Sequence, residues 1–306
     1  MFSNLIGLFS LIGIGFFLVR TKVVSSTAVG ALTALLMKVG LPATIFVSMV
    51  RPFETDFLRD AVIMIGIGFV MHPAYAVFAW LCAPWFRVPE GRRGMWTMCC
   101  AFCNNGFMGF PVAYALFGEE GLALAVMLGV PFNLLVYTLG AKLVAVDCAG
   151  ENGSVKLPWR KVCFSIINLS IGLGLVVYCA QIPIHEAILS PIRHLANITT
   201  PLSMLVTGMS LAEGKLRDAI LDKDAGSISF MRLLFLPVLT WIVLELLPIA
   251  NPLVEGVTLI IMAMPCAAAA VIMGEEYGGC TRLGARAVFL SSLLCIGTIP
   301  LISMLL

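Results

Sequence analysis

Apolar residues fill most of this chain in long runs that are separated by short clusters of charge, proline and glycine. A helix of about 20 apolar residues crosses the roughly 30 Å hydrocarbon core of a bilayer. Ten such runs can be marked off, at roughly 2–19, 28–50, 61–86, 95–117, 121–146, 162–182, 190–212, 228–249, 254–274 and 281–304. The pattern therefore predicts an all-α membrane protein with ten transmembrane helices and no extramembrane domain.

Composition agrees with this class and excludes several others. The chain is 60% hydrophobic and 12% charged, and its mean hydropathy is +1.02. A formal net charge of +2 is too small for a nucleic-acid interface. The ten cysteines form no spaced framework, and no P-loop, H-E-x-x-H or G-x-S-x-G motif occurs. We therefore expect no enzyme activity, no cofactor, no metal site and no nucleic-acid partner.

Positive charges predict the orientation in the membrane. Of the 19 Lys and Arg residues, 14 fall in the odd-numbered loops or in the ends of the predicted helices that flank them. Short loops rich in Lys and Arg stay in the cytoplasm, so both termini should face outward. The first run lacks a basic start and a small-residue cleavage site, which indicates a first helix and not a cleaved leader.

A weak internal repeat divides the chain into two halves. A shift of 159 places the segment 12–15 (IGIG) on 171–174 (IGLG), and Pro42 on Pro201. A shift of 156 places 118–120 (GEE) on 274–276 (GEE). We expect a first five-helix repeat at 1–147, a cytoplasmic loop at 148–161 and a second repeat at 162–306. Because five is odd, the second copy is inverted across the membrane, which is the architecture of alternating-access carriers.

Two predicted helices contain residues that interrupt a helix near the middle of the bilayer. The fourth has NNGFMGFP at 104–111, and Asn105 lies about 16 Å from Gly94 at 1.5 Å per residue. The ninth has Pro265 and Cys266 followed by four alanines, again about a dozen residues from its start. Paired interruptions at matched depth predict broken crossover helices four and nine.

Such a pair of breaks is suited to binding an anion. Unpaired backbone groups in hydrocarbon need a partner, half-helix N-termini carry partial positive charge, and amide side chains donate to carboxylates. The alternative is structural, because Pro and Gly are common in membrane helices and Asn can bond a neighbouring helix. The candidate substrate-binding residues are Asn104, Asn105, Gly106, Pro111, Pro265, Cys266 and Ala267.

At these residues the chain resembles the auxin efflux carrier family, whose bacterial branch contains organic-acid and malonate carriers. The motif at 104–111 is similar to the crossover motif of that family's fourth helix, and 263–265, 276–277 and 288–301 are similar to its ninth and tenth helices. The resemblance implies a fold like the plant PIN auxin transporters and the bile acid:sodium symporters, with a scaffold and a transport part. It also implies that Asn104 contacts the substrate carboxylate. This chain departs from the plant members of the family at two positions: they have a second proline where it has Ala270, and a glutamine where it has Cys266.

Two ionisable residues fall at mid-depth and are candidates for coupling. Lys38 lies in the second predicted helix and His72 in the third. Lys38 would attract the anion or carry a proton, and His72 would titrate during transport. The alternatives are a snorkelling lysine and a neutral, hydrogen-bonded imidazole.

The sequence therefore predicts a secondary carrier of a small organic-acid anion in a bacterial inner membrane, with the crossover part moving like an elevator or rocking against a scaffold. The first alternative is a sodium-coupled bile-acid-like symporter, and a channel or intramembrane enzyme is a more distant one. Proton or sodium coupling and a homodimer are left open. Membrane lipid is the remaining expected partner.

Overall fold

The computed structural model describes residues 2–147, 164–214, 216–247, 249 and 251–306. Within these ranges there is no β-strand. The α-helices are α1 (Phe2–Arg20), α2 (Ser26–Leu35), α3 (Leu41–Ser48), α4 (Thr55–Cys82), α5 (Glu90–Ala101), α6 (Phe110–Leu135), α7 (Ala141–Val146), α8 (Ile166–Ala180), α9 (Glu186–Glu213), α10 (Leu216–Ile220), α11 (Lys223–Phe230), α12 (Leu236–Leu246), α13 (Pro252–Met262), α14 (Ala269–Tyr277) and α15 (Thr281–Ile302). The predicted loop at 148–161 lies outside the described residues.

Several of these helices run on through single π-helical turns. The turns are Leu36–Gly40, Asn105–Gly109, Val136–Gly140 and Met231–Phe235. Two of these turns contain residues of the candidate site described below, Asn105 and Arg232. The helices α2 and α3 thus form one element, and so do α11 and α12.

Length and composition place the chain in a membrane. Among the described residues, six helical stretches are long and apolar enough to cross a bilayer, and shorter apolar helices accompany them. The six are Ser26–Ser48, Thr55–Cys82, Asn105–Val146, Glu186–Glu213, Lys223–Leu246 and Thr281–Leu305. The prediction of an all-α, multi-pass membrane protein is confirmed.

The stretch from Asn105 to Val146 is not one straight helix. Its 42 residues would span about 63 Å at 1.5 Å per residue, twice the hydrocarbon thickness. The backbone leaves the helical conformation at Gly118, where φ is 70° and ψ is −157°. Residues with a Cβ rarely adopt a positive φ, so glycine is needed here. Gly118 therefore divides the stretch into two helices.

The second positive-φ glycine is Gly278, directly after α14 (φ 80°). The sequence repeat instead matched Gly118 with Gly274, which lies inside α14. The other glycine with a positive φ among the described residues is therefore Gly278, four residues further along than Gly274, and its ψ of 11° differs from the −157° of Gly118. Glu275 and Glu276 consequently precede the turn, whereas Glu119 and Glu120 follow theirs.

The helices pack into two groups. In the first, α1 lies along α9, and the element made of α2 and α3 packs on α8 and α9. In the second, α4 and α13 pack on α6, α5 on α4, and α15 on α11 and α14. Contacts between the two groups are fewer than those within them.

Close backbone contact holds the first group together. A Cβ on Gly208 of α9 would lie 1.9 Å from the carbonyl oxygen of Ile12 on α1. A Cβ on Gly15 would lie 2.2 Å from the carbonyl oxygen of Leu205. Only glycine allows two membrane helices to approach so closely, so these two positions fix the α1–α9 pair.

An ion-pair cluster joins three helices of the second group. Arg92 pairs with Asp222 at 3.0 Å and with Asp224, and Arg286 pairs with Asp222 at 2.7 Å. Burial raises the pKa of Asp222, but hydrogen bonds from Arg286 and Arg92 lower it by more, so that the pKa lies below its usual value of 3.8. The cluster ties the start of α5 to the start of α11 and to α15.

Candidate functional site

The backbone leaves the helix at two places, between α5 and the Asn105–Gly109 turn and between α13 and α14. These two segments lie against each other. Cys103 and Cys266 face one another as an isolated antiparallel pair. The Asn104 N–H donates to the Pro265 carbonyl at 2.8 Å, and the Ala267 N–H donates to the Phe102 carbonyl at 3.0 Å. We call the paired segments 102–104 and 265–267 the crossing.

The pairing at the crossing provides hydrogen-bond partners for backbone groups that the helix breaks leave free. Free N–H and C=O groups in hydrocarbon cost several kcal/mol each. The two broken helices satisfy one another through the two backbone bonds, and the Cys266 N–H donates to the Ser291 hydroxyl at 3.1 Å. The interruptions are therefore compatible with a position deep in the protein.

Arg232 supplies the next set of partners. It is fully buried, and its guanidinium donates from Nε to the Met264 carbonyl at 2.9 Å and from Nη1 to the Cys100 carbonyl at 3.1 Å. A third donation, from Nη2, goes to the Met262 carbonyl. Among the described residues no carboxylate forms an ion pair with it. Arg232 thus binds carbonyls freed at the C-terminal ends of both α5 and α13.

These contacts also balance charge. A helix C-terminus carries about half a negative charge, so two of them offset about one positive charge. The ends of α5 and α13 both meet the Arg232 guanidinium, which stacks at 5.6 Å over the Tyr75 ring. A buried arginine is therefore tolerated without an acidic partner.

A cavity of about 550 Å³ lies at the starts of the two second half-helices. Its walls are mostly apolar and include side chains of α3, α6 and α8. The lining residues are Met37, Leu41, Ile45, Asn104, Asn105, Gly106, Phe107, Phe110, Gly129, Phe132, Asn133, Ile167, Ala267, Ala268 and Ala269.

Three asparagines bring polar groups to this cavity. Asn105 is 2% exposed, its Oδ1 accepts from the Cys103 thiol at 2.8 Å, and its Nδ2 has no hydrogen-bond partner among the described residues. The Oδ1 of Asn104 accepts from the Phe107 N–H at 3.2 Å and so caps the half-helix. Asn133 reaches the cavity from α6. A buried amide donor without a partner calls for a ligand or water.

The structure places the seven predicted site residues in two sets. Asn104, Asn105, Gly106 and Ala267 line the cavity. The other three, Pro111, Pro265 and Cys266, are buried but do not line it, and the last two belong to the crossing itself.

Of the two coupling candidates, Lys38 does not reach the cavity. It lies in the Leu36–Gly40 turn with its side chain exposed, whereas its neighbour Met37 lines the cavity. This position suits a lysine that extends along the helix surface toward the bilayer interface.

His72, the second candidate, is completely buried behind the cavity wall. Its Nδ1 donates to the Gly68 carbonyl at 2.8 Å, which leaves Nε2 as an acceptor with no partner among the described residues. The ring stacks on Phe102 of the crossing and contacts Phe132, a lining residue. His72 is therefore one side chain away from the cavity.

Sequence reasoning missed two residues of this region. Asn133 sits in an apolar run of the fifth predicted helix, and its polarity beside Pro131 was the available signal. Arg232 falls within the eighth predicted helix, only four residues after its predicted start at 228. Because α11 begins at Lys223, five residues before the predicted start, Arg232 lies deeper than expected.

A second and larger cavity, of about 1630 Å³, adjoins the other side of α3. Thr44 and Val47 line it, whereas Leu41 and Ile45 of the same helix line the first cavity. Arg51, Arg193 and the pair Glu119–Glu120 also border it. We call this larger cavity the vestibule.

Comparison with known proteins gives consistent matches over the whole length. A family model described as "Membrane transport protein" matches residues 1–153 and 154–303. An uncharacterized transporter of Methanothermobacter thermautotrophicus is 27% identical over 298 residues, which cover 97% of this chain and 95% of the relative. A provisionally named malonate transporter of Rhizobium meliloti is 23% identical, covering 95% and 91%. The uncharacterized transporter YfdV of Escherichia coli K12 is 22% identical, covering 94% and 92%.

Proposed function

The chain belongs to the membrane transport protein family, and from that premise we propose that it is a secondary-active carrier of a small organic-acid anion. Membership confirms the resemblance to auxin efflux carriers and the prediction of a transporter in place of an enzyme. The substrate class and the alternating-access mechanism are our proposal. We also propose that the protein lies in a bacterial inner membrane with both termini outside.

One observation carries this proposal: two half-helices begin at the same cavity, beside a buried amide donor, Nδ2 of Asn105, that has no hydrogen-bond partner in the described part of the chain. The half-helix at Asn105 and α14 both direct their N-terminal ends to the cavity lining. The first N–H groups of a helix have no carbonyl partner within it, and they favour an anion. We propose that a carboxylate binds there, with Asn104 and Asn105 donating to it and Gly106 and Ala267 bringing the backbone close.

Packing relationships support a 5+5 inverted repeat, with halves 1–147 and 162–306. Residues that match at a shift of 159 make matching contacts. A Cβ on Gly15 would meet Leu205 at 2.2 Å, and a Cβ on Gly174 would meet Met49 first, at 2.9 Å, and then Phe46 at 3.8 Å. Gly174 and Leu205 lie 159 residues after Gly15 and Phe46, so the same two positions come close in both halves. Gly40 and Thr199, also 159 apart, contact each other, as residues beside a two-fold axis would.

The division of the helices into two packing groups supports a mechanism in which one part moves and the other stays fixed. The crossing, the cavity asparagines and the ion-pair cluster all belong to the second group, and Met37, Leu41 and Ile167 of the first group close the cavity. We propose that the second group moves as one body against the first, by an elevator or rocking motion. The vestibule would give access from the outer face, where the even-numbered loops are expected.

The name of the Rhizobium meliloti relative supports a dicarboxylic or similar small acid as the cargo. A sodium-coupled bile-acid-like symporter is the second candidate, and it is disfavoured because no described carboxylate lines the cavity. His72, one side chain from the cavity, is a better proton-coupling candidate than the exposed Lys38. A homodimer is an open part of the proposal.

A liposome flux screen tests the proposed function. The purified chain is reconstituted, and uptake of radiolabelled mono- and dicarboxylates is measured with and without a sodium gradient and a pH gradient. We expect saturable uptake of at least one small acid that exceeds uptake by protein-free liposomes and can run against its gradient. Uptake only with sodium would favour the symporter, and flux that never exceeds equilibrium would indicate a channel.

A further inference from the structure

The cavity at the crossing contains no charged side chain among its lining residues. Its polar groups are the three asparagine amides and the backbone at the half-helix starts. The remaining walls are aliphatic and aromatic. Whatever anion binds there is neutralised by partial charges alone.

The positive charge available can be counted. Each half-helix N-terminus carries about half an elementary charge, so the two together supply about one. One half-helix runs from Asn105 to Gly118 and the other, α14, has nine residues, so both are long enough to contribute. One carboxylate is matched by this charge, and a second is not.

The buried cation Arg232 does not alter this count. Arg232 donates to the carbonyls of Met264, Cys100 and Met262, at the C-terminal ends of the first half-helices. Its charge is offset there by the two negative helix ends. It does not belong to the cavity lining.

We propose, on the basis of the proposed carrier function, that this site selects its substrate by charge: it binds a singly charged anion and takes a dicarboxylic acid only in its monoprotonated form. The carboxylate accepts from the unpartnered Nδ2 of Asn105 and from the half-helix N–H groups. The protonated carboxyl group donates to an amide oxygen, and Asn133, another lining residue, carries one. A second, ionised carboxylate in this apolar space lacks a counter-charge and is excluded.

Several other titratable groups lie near the crossing. They are His72 of α4, Arg232 of the Met231–Phe235 turn, and the thiols of Cys99, Cys100, Cys103 and Cys266. The α3, α6 and α8 walls add no charged side chain to the lining. Because His72 can titrate, the test needs a ligand whose own charge stays constant.

Malonate and its monoamide, malonamate, form a suitable pair, because malonamate keeps a single negative charge above its one pKa. Binding of each to the full, detergent-solubilised chain is measured by calorimetry from below to two units above the second pKa of malonate. If only the monoprotonated form binds, the malonate affinity relative to malonamate falls about tenfold for each pH unit above that pKa. A ratio that stays constant with pH would overturn the charge rule.

Added charge provides a second test. Asn133→Lys supplies the missing counter-charge and should remove the fall in the malonate-to-malonamate ratio, whereas Asn133→Gln keeps the amide and should retain it. An Asn133→Lys protein that binds malonamate but still rejects the dianion would contradict the proposal. If no small carboxylate binds the wild-type protein at any pH, the carrier function itself is wrong, and this inference with it.

Discussion

Arg232 and Met264 are joined by a 2.9 Å hydrogen bond from the guanidinium Nε to the backbone carbonyl, 32 residues further along the chain. The bond links the eighth predicted helix to the break in the ninth. With the donations to Cys100 and Met262, it makes one side chain the common partner of both broken helices.

Replacing this arginine should therefore destabilise the protein strongly. Arg232→Met leaves three buried carbonyls without donors and should lower the free energy of unfolding by about 3 kcal/mol or more. Arg232→Lys keeps the charge but lacks the planar set of guanidinium donors that reaches three carbonyls, so its loss of stability should be intermediate. Thermal unfolding in detergent measures both.

Arg193 is the matched control, because it is exposed and its one ion pair among the described residues is with Glu186. Arg193→Met should change the stability by less than about 1 kcal/mol. If Arg232→Met and Arg193→Met unfold at the same temperature, the guanidinium is not the partner of the broken helices.

Replacing Asn104 or Asn105 should have different effects on substrate affinity and on stability. Asn105→Ala removes an unpartnered donor, so affinity for the transported acid should fall on the order of 10- to 150-fold with little change in Tm. Asn104→Ala also removes a helix cap and should lose about 1 kcal/mol of stability. Calorimetry and thermal unfolding separate the two effects.

Asn104→Ser is the informative control, because serine caps a helix but has no amide N–H donor. If Asn104 contacts the substrate, this variant should recover the stability and not the affinity. Full affinity in both Asn105→Ala and Asn104→Ser would mean that neither amide binds the substrate.

Oxidation can test the crossing directly. Cys103 and Cys266 face each other between the two backbone bonds, at a position where Cα atoms of antiparallel segments lie about 4.5 Å apart. That separation is within the range of a disulfide. A variant with only these two cysteines and a protease site inserted at 148–161 should stay as one band after a permeant oxidant and cleavage, on a non-reducing gel.

A variant retaining Cys103 and the exposed Cys179 should instead separate into two fragments. Two fragments from the Cys103–Cys266 variant as well would show that the segments do not meet.

The ion-pair cluster predicts a pH dependence of stability. The pKa of Asp222 is lowered in the folded protein, so its contribution is complete above the unfolded value of 3.8 and is lost as pH falls through the lower folded value. The Tm difference between wild type and Asp222→Asn should therefore be largest near about pH 6 and shrink below about pH 4. A difference that grows on acidification would give the opposite sign and refute the assignment.

Sidedness can be tested with single cysteines in a cysteine-free background. Asp218 lies in a loop rich in positive charge, and Glu186 lies in an even-numbered loop. Both side chains are exposed, so accessibility alone does not separate them. In whole cells an impermeant thiol reagent should label the cysteine at 186 and spare the one at 218, and the reverse pattern would invert the proposed topology.

The sequence was sufficient to predict an all-α, multi-pass membrane protein and to locate both interruptions, because apolar length, proline, glycine and paired asparagines act locally. It was not sufficient for Arg232, whose role depends on the rotation and depth of α11 relative to two other helices. Nor could it show that the Asn104 side chain caps a helix by accepting from the Phe107 N–H, whereas the Nδ2 of Asn105 has no partner among the described residues. Those distinctions depend on contacts between residues far apart in the chain.

The paired crossing also has a consequence for how the protein is made. The Asn104 N–H has no partner until Pro265 is synthesised, 161 residues later. At about 5–20 residues per second, the ribosome needs roughly 8–32 s to produce that partner. For that interval the first broken helix must keep its open backbone in water or against the insertion machinery. Final assembly of this membrane protein therefore waits for its ninth helix, and neither half can complete its own core alone.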